Sequence, residues 1–407
     1  MITGIIGKPN VGKSTFFNSA TLMNVPVANY PFTTIAPNIG TAYIRVRCVH
    51  EELGVQDNPV NSACVDGTRL IPVKLVDVAG LVPGAASGRG LGNKFLDDLR
   101  QADALIHVID ASGGTDEEGR PVELGSHDPA GDIEFVRQEI ILWMKSLLEK
   151  DWSRISRTVE SGAANAPTLQ AALMDKLSGL SLSEVSIEEA VRKSGLKSDK
   201  PTGWSTEDLG VFVSKMLDIS KPILIAANKC DQGSARETIK KLNSELGDTH
   251  SIVPCAAEAE LLLRRASQAG LITYVPGDSA FEVRGTSKLS PPQRKALDLV
   301  REQVMEPWRG TGVQQAINGA YLSLLKGIVV YPVEDEAKYT DKKGNVLPDA
   351  RIMYEGQTAR DLAFKIHTDL GNTFLYAVDA RTGMRHGADY RLKNNDVLKI
   401  VASAKKS

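Results

Sequence analysis

Nine residues near the start of the chain, Gly7-Lys8-Pro9-Asn10-Val11-Gly12-Lys13-Ser14-Thr15, match the pattern G-x-x-x-x-G-K-[ST]. The run before them, Ile2-Thr3-Gly4-Ile5-Ile6, reads as a short buried strand. The run from Thr15 to Leu22 reads as the first turns of a helix. Strand, glycine loop and helix are the context in which this pattern cradles phosphate. The glycines let backbone N–H groups turn inward around anionic oxygens, and the helix N-terminus adds partial positive charge. Gly7 to Thr15 are therefore the expected phosphate ligands, with Lys13 reaching the β- and γ-phosphates and the Ser14 hydroxyl holding Mg²⁺. A chain built on such a loop is expected to be α/β.

The rest of the sequence places no competing demand. At 407 residues there is room for two or three domains. The net charge of −2 gives the whole molecule no strong attraction to nucleic acid or membrane. The cysteines at 48, 64, 230 and 255 suggest no disulfide framework, and a reducing cytoplasm is the expected setting. The glycine loop begins at residue 7, so no signal peptide is expected ahead of it. Apolar runs such as Ala104 to Val108 are too short to span a bilayer.

Further motifs follow in order. Asn29 to Asn38 carries two prolines and reads as a loop. A threonine there can give its hydroxyl to Mg²⁺ when a γ-phosphate is present, ordering the loop in one nucleotide state; Thr34 is taken as that ligand ahead of Thr33. Residues 40 to 48 alternate as a strand, and Leu70 to Val76 reads as another. In the polar excursion between them, Cys48, His50 and Cys64 are three candidate zinc ligands with irregular spacing and no second C-x-x-C; the reading adopted is a hairpin with two free thiols. Asp77-Val78-Ala79-Gly80 follows the second strand. Asp77 is placed to contact the Mg²⁺ shell and Gly80 to offer its N–H to the γ-phosphate. Leu81 stands where small GTPases use a glutamine to orient water, so slow intrinsic turnover is expected. The glycine-dense run Gly84 to Gly92 reads as a mobile switch segment, and Arg89 as a solvated loop residue.

Ala104 to Asp110 is a buried strand in which His107 reads as a satisfied core residue. From Asp116 to Ile219 the period becomes helical, with Ile133, Val136, Ile140, Trp143 and Leu147 on one face. Ser186-x-x-Glu189 and Ser205-x-x-Asp208 read as capping-box starts. Strand pattern resumes at Pro222 and ends in Asn228-Lys229-Cys230-Asp231, a match to N-K-x-D. The Asp231 carboxylate can accept from guanine N1–H and its 2-amino group, a pairing adenine does not offer. After the strand from Ile252, the Ala256–Ala257 loop is expected to meet the base, with the Ala257 N–H on guanine O6. Near Gly327 a compact unit begins, with strands around one helix over Gln357–His367 and Thr358 as N-cap, a β-grasp pattern. From Ala380 to Ser407 there are seven Lys/Arg (Arg381, Arg385, Arg391, Lys393, Lys399, Lys405, Lys406) against Asp389 and Asp396, which reads as an RNA-facing patch or as a solvated surface.

The combination resembles the Obg-related GTPases, and most closely the archaeal branch of the YchF family, through Gly7–Thr15, Tyr30–Gly40, Asp77–Gly92, Asn228–Asp231 and Ala257-Glu258-Ala259-Glu260-Leu261. The last eighty residues resemble a TGS domain, including Asp361-Leu362-Ala363 and Asp396-Val397. The resemblance implies a P-loop, Ras-like G domain with an α-helical insertion and a C-terminal β-grasp (TGS) domain, GTP hydrolysis, and an association with ribosomes or RNA. Bacterial and eukaryotic relatives with a degenerate base motif favour ATP, whereas Lys229 and Asp231 are kept here. Ala256 stands where a serine is usual. Asn10 matches the asparagine that helps hold K⁺ in related potassium-activated GTPases, which makes K⁺ a candidate cofactor beside Mg²⁺.

The expectation is a cytoplasmic, monomeric Mg²⁺-dependent GTPase switch. Lys13, Thr34 and Gly80 carry the catalytic roles, Ser14, Thr34 and Asp77 hold the metal, and Asn228, Lys229, Asp231, Ala256 and Ala257 hold the base. Domains are expected at 1–115 (G domain, first part), 116–219 (helical insertion), 220–326 (G domain, second part, and helical connection) and 327–407 (TGS-like). The rivals are an ATPase of the bacterial YchF type and an RNA-binding module with negligible turnover.

Overall fold

The computed structural model describes residues 1–22, 38–78, 80, 98–161, 163, 165–177, 180, 182–284 and 289–403. Thr33, Thr34, Leu81 and Arg89 lie outside that set.

The first sheet contains β1 (Ile2–Ile6), β2 (Ile39–Arg47), β3 (Ala63–Val65), β4 (Thr68–Asp77), β5 (Ala104–Asp110), β6 (Ile223–Asn228) and β7 (Ser251–Pro254). Its order is β2-β4-β1-β5-β6-β7, with β3 also on β4. β4, β1, β5, β6 and β7 run parallel, while β2 and β3 run antiparallel to β4. Every residue of β5 is buried. That is why it reads as one apolar run: a central parallel strand has both faces covered. His107 on it is buried and its imidazole is held near pKa 3 by desolvation, so it is neutral. Its Nε2 has no hydrogen-bond partner among the described residues, so the ring is a core residue but not a fully satisfied one.

Helix α1 (Lys13–Thr21) follows the glycine loop, and α2 (His50–Leu53) is a single turn after β2. Between β5 and β6 lie α3 (Ala130–Glu149), α4 (Trp152–Glu160), α5 (Leu169–Lys176), α6 (Glu184–Ser194) and α7 (Thr206–Ser220). They pack into one apolar core with a face of the sheet: Val136, Ile140, Phe212 and Met216 are buried together with Ile6, Val76 and Leu105, and Trp152 stacks on Trp204 at 5.2 Å. Ser205 and Asp208 form the expected capping box. The other box is shifted: Ser183 is the N-cap of α6 and Ser186 its reciprocal partner at the third helical position. Two serines three apart can fill both halves of the motif, which displaced the expected start by one turn.

α8 (Ala235–Leu246), α9 (Ala257–Gln268), α10 (Pro291–Val300) and α11 (Val313–Asn318) complete the first half, with a two-strand ribbon of β8 (Ile272–Thr273) and β9 (Glu282–Val283). The second sheet holds β10 (Gly327–Val333), β11 (Arg351–Tyr354), β12 (Phe374–Asp379), β13 (Arg385–His386) and β14 (Asp396–Ala402), in the order β11-β10-β14-β12-β13. β10 and β14 are parallel and the other pairs antiparallel. Helix α12 (Ala359–Ile366) packs on it, capped by Thr358 in a capping box with Asp361, as expected. The two sheets share one core: Ile44, Cys48 and Ile71 of the first meet Val329, Tyr331, Leu347 and Val397 of the second unit. No described helix is long and apolar enough to cross a membrane.

Candidate nucleotide-binding site

The carboxyl ends of the parallel strands converge on the glycine loop, the place where open α/β sheets bind ligands. Register sets this: Ile5 of β1 pairs Asp77 of β4, and Asp110 of β5 pairs Asn228 of β6. Gly7 and Gly12 have φ of 144° and 96°. A Cβ at Gly7 would strike Val108 O, and one at Gly12 would strike the Asn228 amide, so both positions demand glycine twice over.

Lys13 donates to Lys8 O at 2.6 Å, and a methyl at Gly80 would sit 3.2 Å from its Nζ. The ammonium therefore lies between the loop backbone and Gly80, the two places expected to face phosphate. Burial lowers its pKa to about 8, with Asp77 opposing the shift. The Ser14 hydroxyl faces Asp77 Oδ2 at 3.4 Å. Burial raises the Asp77 pKa, opposed by Lys13 and by the Ser14 bond. A hydroxyl beside a partly desolvated carboxylate is an oxygen donor pair suited to a hard divalent cation.

At the base end, Asn228 is a staple. Its Nδ2 donates to Val11 O at 2.8 Å and its Oδ1 accepts from the Ala257 N–H at 3.0 Å, joining the glycine loop to the base loop. The Asn228 amide therefore holds protein together, using one of its two N–H donors, and in this structure the Ala257 N–H is bonded to it. The Ala256 N–H likewise donates to Thr311 O at 2.8 Å. Lys229, at φ 60°, reaches Asp110 Oδ2 at 2.7 Å. Asp231 accepts no hydrogen bond and forms no ion pair among the described residues, so its carboxylate is available.

Several structural partners were not singled out in the sequence. Asp110 is buried and takes the Ser112 hydroxyl at 2.5 Å and Thr115 Oγ1 at 3.1 Å besides Lys229. A carboxylate ending a strand, as Asp77 does, was the available signal. Lys8, almost fully buried, pairs with Asp132 of α3 at 2.7 Å and donates to Thr115 O at 2.9 Å. His127 also reaches Asp132, at 2.9 Å. Asn10, at φ 60°, donates to Gly119 O at 2.9 Å. The segment 111–129 thus lies against the glycine loop and ties it to the first helix of the insertion. Buried Glu260 of α9 accepts from Arg264, Tyr274 and Thr311, and Arg264 donates on to Leu22 O at 3.0 Å, just past α1.

Of the basic residues near the C-terminus, Arg381 pairs with Glu52 and Lys399 with Glu336, whereas Arg385, Arg391 and Lys393 are exposed. Lys405 and Lys406 lie outside the described residues.

Glycine loop, strand-end aspartate and N-K-x-D on one parallel sheet, joined to a second small sheet, define a P-loop GTPase domain carrying a TGS domain. Residues 2–137 match the family profile described as 50S ribosome-binding GTPase, residues 226–335 that of the G4 motif-containing domain of YGR210-like Obg-like GTPases, and residues 339–402 the TGS domain. The chain is 51% identical over 402 residues to a GTP-binding protein of Methanocaldococcus jannaschii, covering 99% of each. It is 35% identical over 369 residues to a GTP-binding protein of Schizosaccharomyces pombe, covering 88% of each. A crystal structure of a GTP-binding protein from Pyrococcus horikoshii superposes with a TM-score of 0.78 at 42% identity, covering 99% of this chain and 100% of that one. The chain belongs to the YchF family of Obg-related P-loop GTPases. A relative in Bacillus subtilis, 32% identical over 272 residues (64% of this chain, 66% of that one), is named a ribosome-binding ATPase.

Proposed function

We propose that the protein is a cytoplasmic GTPase acting as a nucleotide-gated switch in association with ribosomes or RNA. The observation that carries guanine over adenine is the pairing state of N-K-x-D: Asn228 and Lys229 are committed to protein partners, and Asp231 alone offers free acceptor oxygens. A carboxylate there meets two donors on guanine and an acceptor on adenine, a difference that hydrogen-bonding sites turn into large discrimination.

Lys13 and the loop N–H groups take up the charge that develops on the phosphates, so catalysis is positioning and electrostatics. Gly80 borders the Lys13 ammonium and reports the γ-phosphate to the residues after it; Thr34 is assigned the same task. Ser14, Asp77 and Thr34 would hold Mg²⁺, which supplies charge neutralisation between the β- and γ-phosphates. Asn10 uses its amide N–H on Gly119, leaving its carbonyl oxygen as a donor for K⁺. The ribosome or RNA association rests on the names of the relatives, the TGS domain and the exposed Arg385, Arg391 and Lys393.

The deciding experiment is binding of labelled GDP, competed separately by GTP and ATP, in K⁺ buffer with Mg²⁺. Strong preference for GTP is expected. Preference for ATP would replace this reading with an ATPase of the bacterial YchF type. Turnover indistinguishable from background with ribosomes present would leave a binding module without catalysis.

A further inference from the structure

At the end of β4 opposite the glycine loop, four side chains from four different elements converge. Cys48 follows the last residue of β2, His50 opens α2, Asp57 sits in the loop after it, and Cys64 is the middle residue of β3. One ligand atom from each lies within 4.8 Å of the other three. No other group of three or more such side chains gathers in this way among the described residues.

The spacing is that of a coordination shell. Cys48 Sγ is 3.2 Å from Asp57 Oδ2, His50 Nδ1 is 3.4 Å from the same oxygen, and Cys64 Sγ is 3.5 Å from His50 Nδ1. A tetrahedron with bonds of about 2.0–2.3 Å, as zinc makes to N, O and S, has edges of about 3.3–3.8 Å. Two soft sulfurs and an imidazole select zinc-like ions over Mg²⁺ or Ca²⁺. Charge closes as well. Two thiolates and a carboxylate against a divalent ion leave one negative charge, and the fully buried Arg69 guanidinium stands 2.9 Å from Asp57 Oδ2.

We propose that Cys48, His50, Asp57 and Cys64 form a closed, structural zinc-class site that pins the excursion between β2 and β4, which docks on the segment between β10 and β11. Four protein ligands leave no position for substrate, which marks a structural rather than a catalytic centre. The clasped loop is the one that docks: Val60 N–H donates to Pro348 O at 2.8 Å, Asn58 N–H to Val346 O at 3.1 Å, and Arg69 bonds Leu347 O. The sequence hid the site because its ligands come in turn from the turn after β2, a helix, a loop and a strand, and Asp57 was not counted among them.

The test uses the full-length chain, purified under reducing conditions without chelator. Elemental analysis is expected to find about one zinc per chain. After stripping, titration with Co²⁺ is expected to saturate at one equivalent with thiolate-to-cobalt charge transfer and the intense visible bands of tetrahedral cobalt, both abolished by Zn²⁺. Cys64→Ser and Asp57→Asn are expected to weaken cobalt binding by at least about 10-fold, by analogy with the loss seen even for outer-shell changes. Circular dichroism and labelled-GDP binding report whether the variants remain folded. If they do not fold, the wild-type spectrum still decides. Cobalt bound without charge transfer, equal binding by Cys64→Ser, or a Cys48–Cys64 disulfide in the reduced preparation would each overturn the proposal.

Discussion

The two ends of strand β4 are held by different means. At its carboxyl end, beside Asp77, the structure is made of backbone turned by glycine, with single side chains reaching in from neighbouring strand ends. At its amino end, beside Thr68 and Arg69, side chains meet backbone and side chains from the far end of the chain: Arg69 on Leu347, Asn58 on Val346, Glu52 on Arg381. Backbone geometry has strict sequence requirements and leaves a motif. Contacts separated by 278 to 329 residues constrain each other and leave none. The first end is expected to govern affinity for nucleotide, the second the stability of the fold.

Four substitutions and a pH series test that division. Arg69→Ala removes one partner of a buried ion pair and is expected to cost about 3–5 kcal/mol of unfolding free energy, measured by denaturant titration, with labelled-GDP affinity unchanged. A matching loss of affinity would show that the two ends are coupled. Lys13→Ala is expected to do the reverse. Truncating one partner of a buried charged contact costs about 2–5 kcal/mol of binding, so GDP affinity should fall at least about 30-fold while the fold persists; unchanged affinity would sink the site assignment. Asn228→Ala straddles the division. It leaves Val11 C=O and the Ala257 N–H without partners at about 1–3 kcal/mol each, and both thermal stability and GDP affinity should drop.

The pH series isolates Lys13. Its pKa in the folded chain is lowered to about 8 from 10.5. Between those values the unfolded chain holds a proton that the folded chain has lost, so ligand-free stability rises with pH across that window. Phosphate needs the ammonium, so GDP affinity should weaken as pH passes about 8. Opposite slopes of stability and affinity are the expected signature, read by denaturation and nucleotide titration on the same samples. The smallest effect is at a distance from both ends: Thr358→Ala removes the α12 cap and should cost about 1 kcal/mol, without moving nucleotide affinity.

The same division explains what the sequence disclosed. β5 was legible residue for residue because a central parallel strand is uniformly apolar. Lys13, Ser14 and Asp77 gather where their motifs imply. Asn228 was recognised, but its two protein partners were not: a motif tells which side chain is needed, not which protein groups it also holds. Lys8 was expected to contribute backbone to the phosphates; its side chain, for which nothing was expected, runs to Asp132, more than a hundred residues away. Nothing local to either residue announces that pair. Cys48, His50 and Cys64 were seen as candidates, yet only folding shows that Asp57 stands among them.

The order of strands in the second sheet bears on how the protein is made. β14, in the middle of that sheet, is the last of the described strands to be made, about sixty residues after its parallel neighbour β10. Until β14 is made, β10 can pair only with β11, and its other edge stays open. A chain cut before Asp396 would therefore leave that edge of β10 unpaired. Asp396 to Ala402 close the sheet, and the edge of β10 is covered only when they are in place.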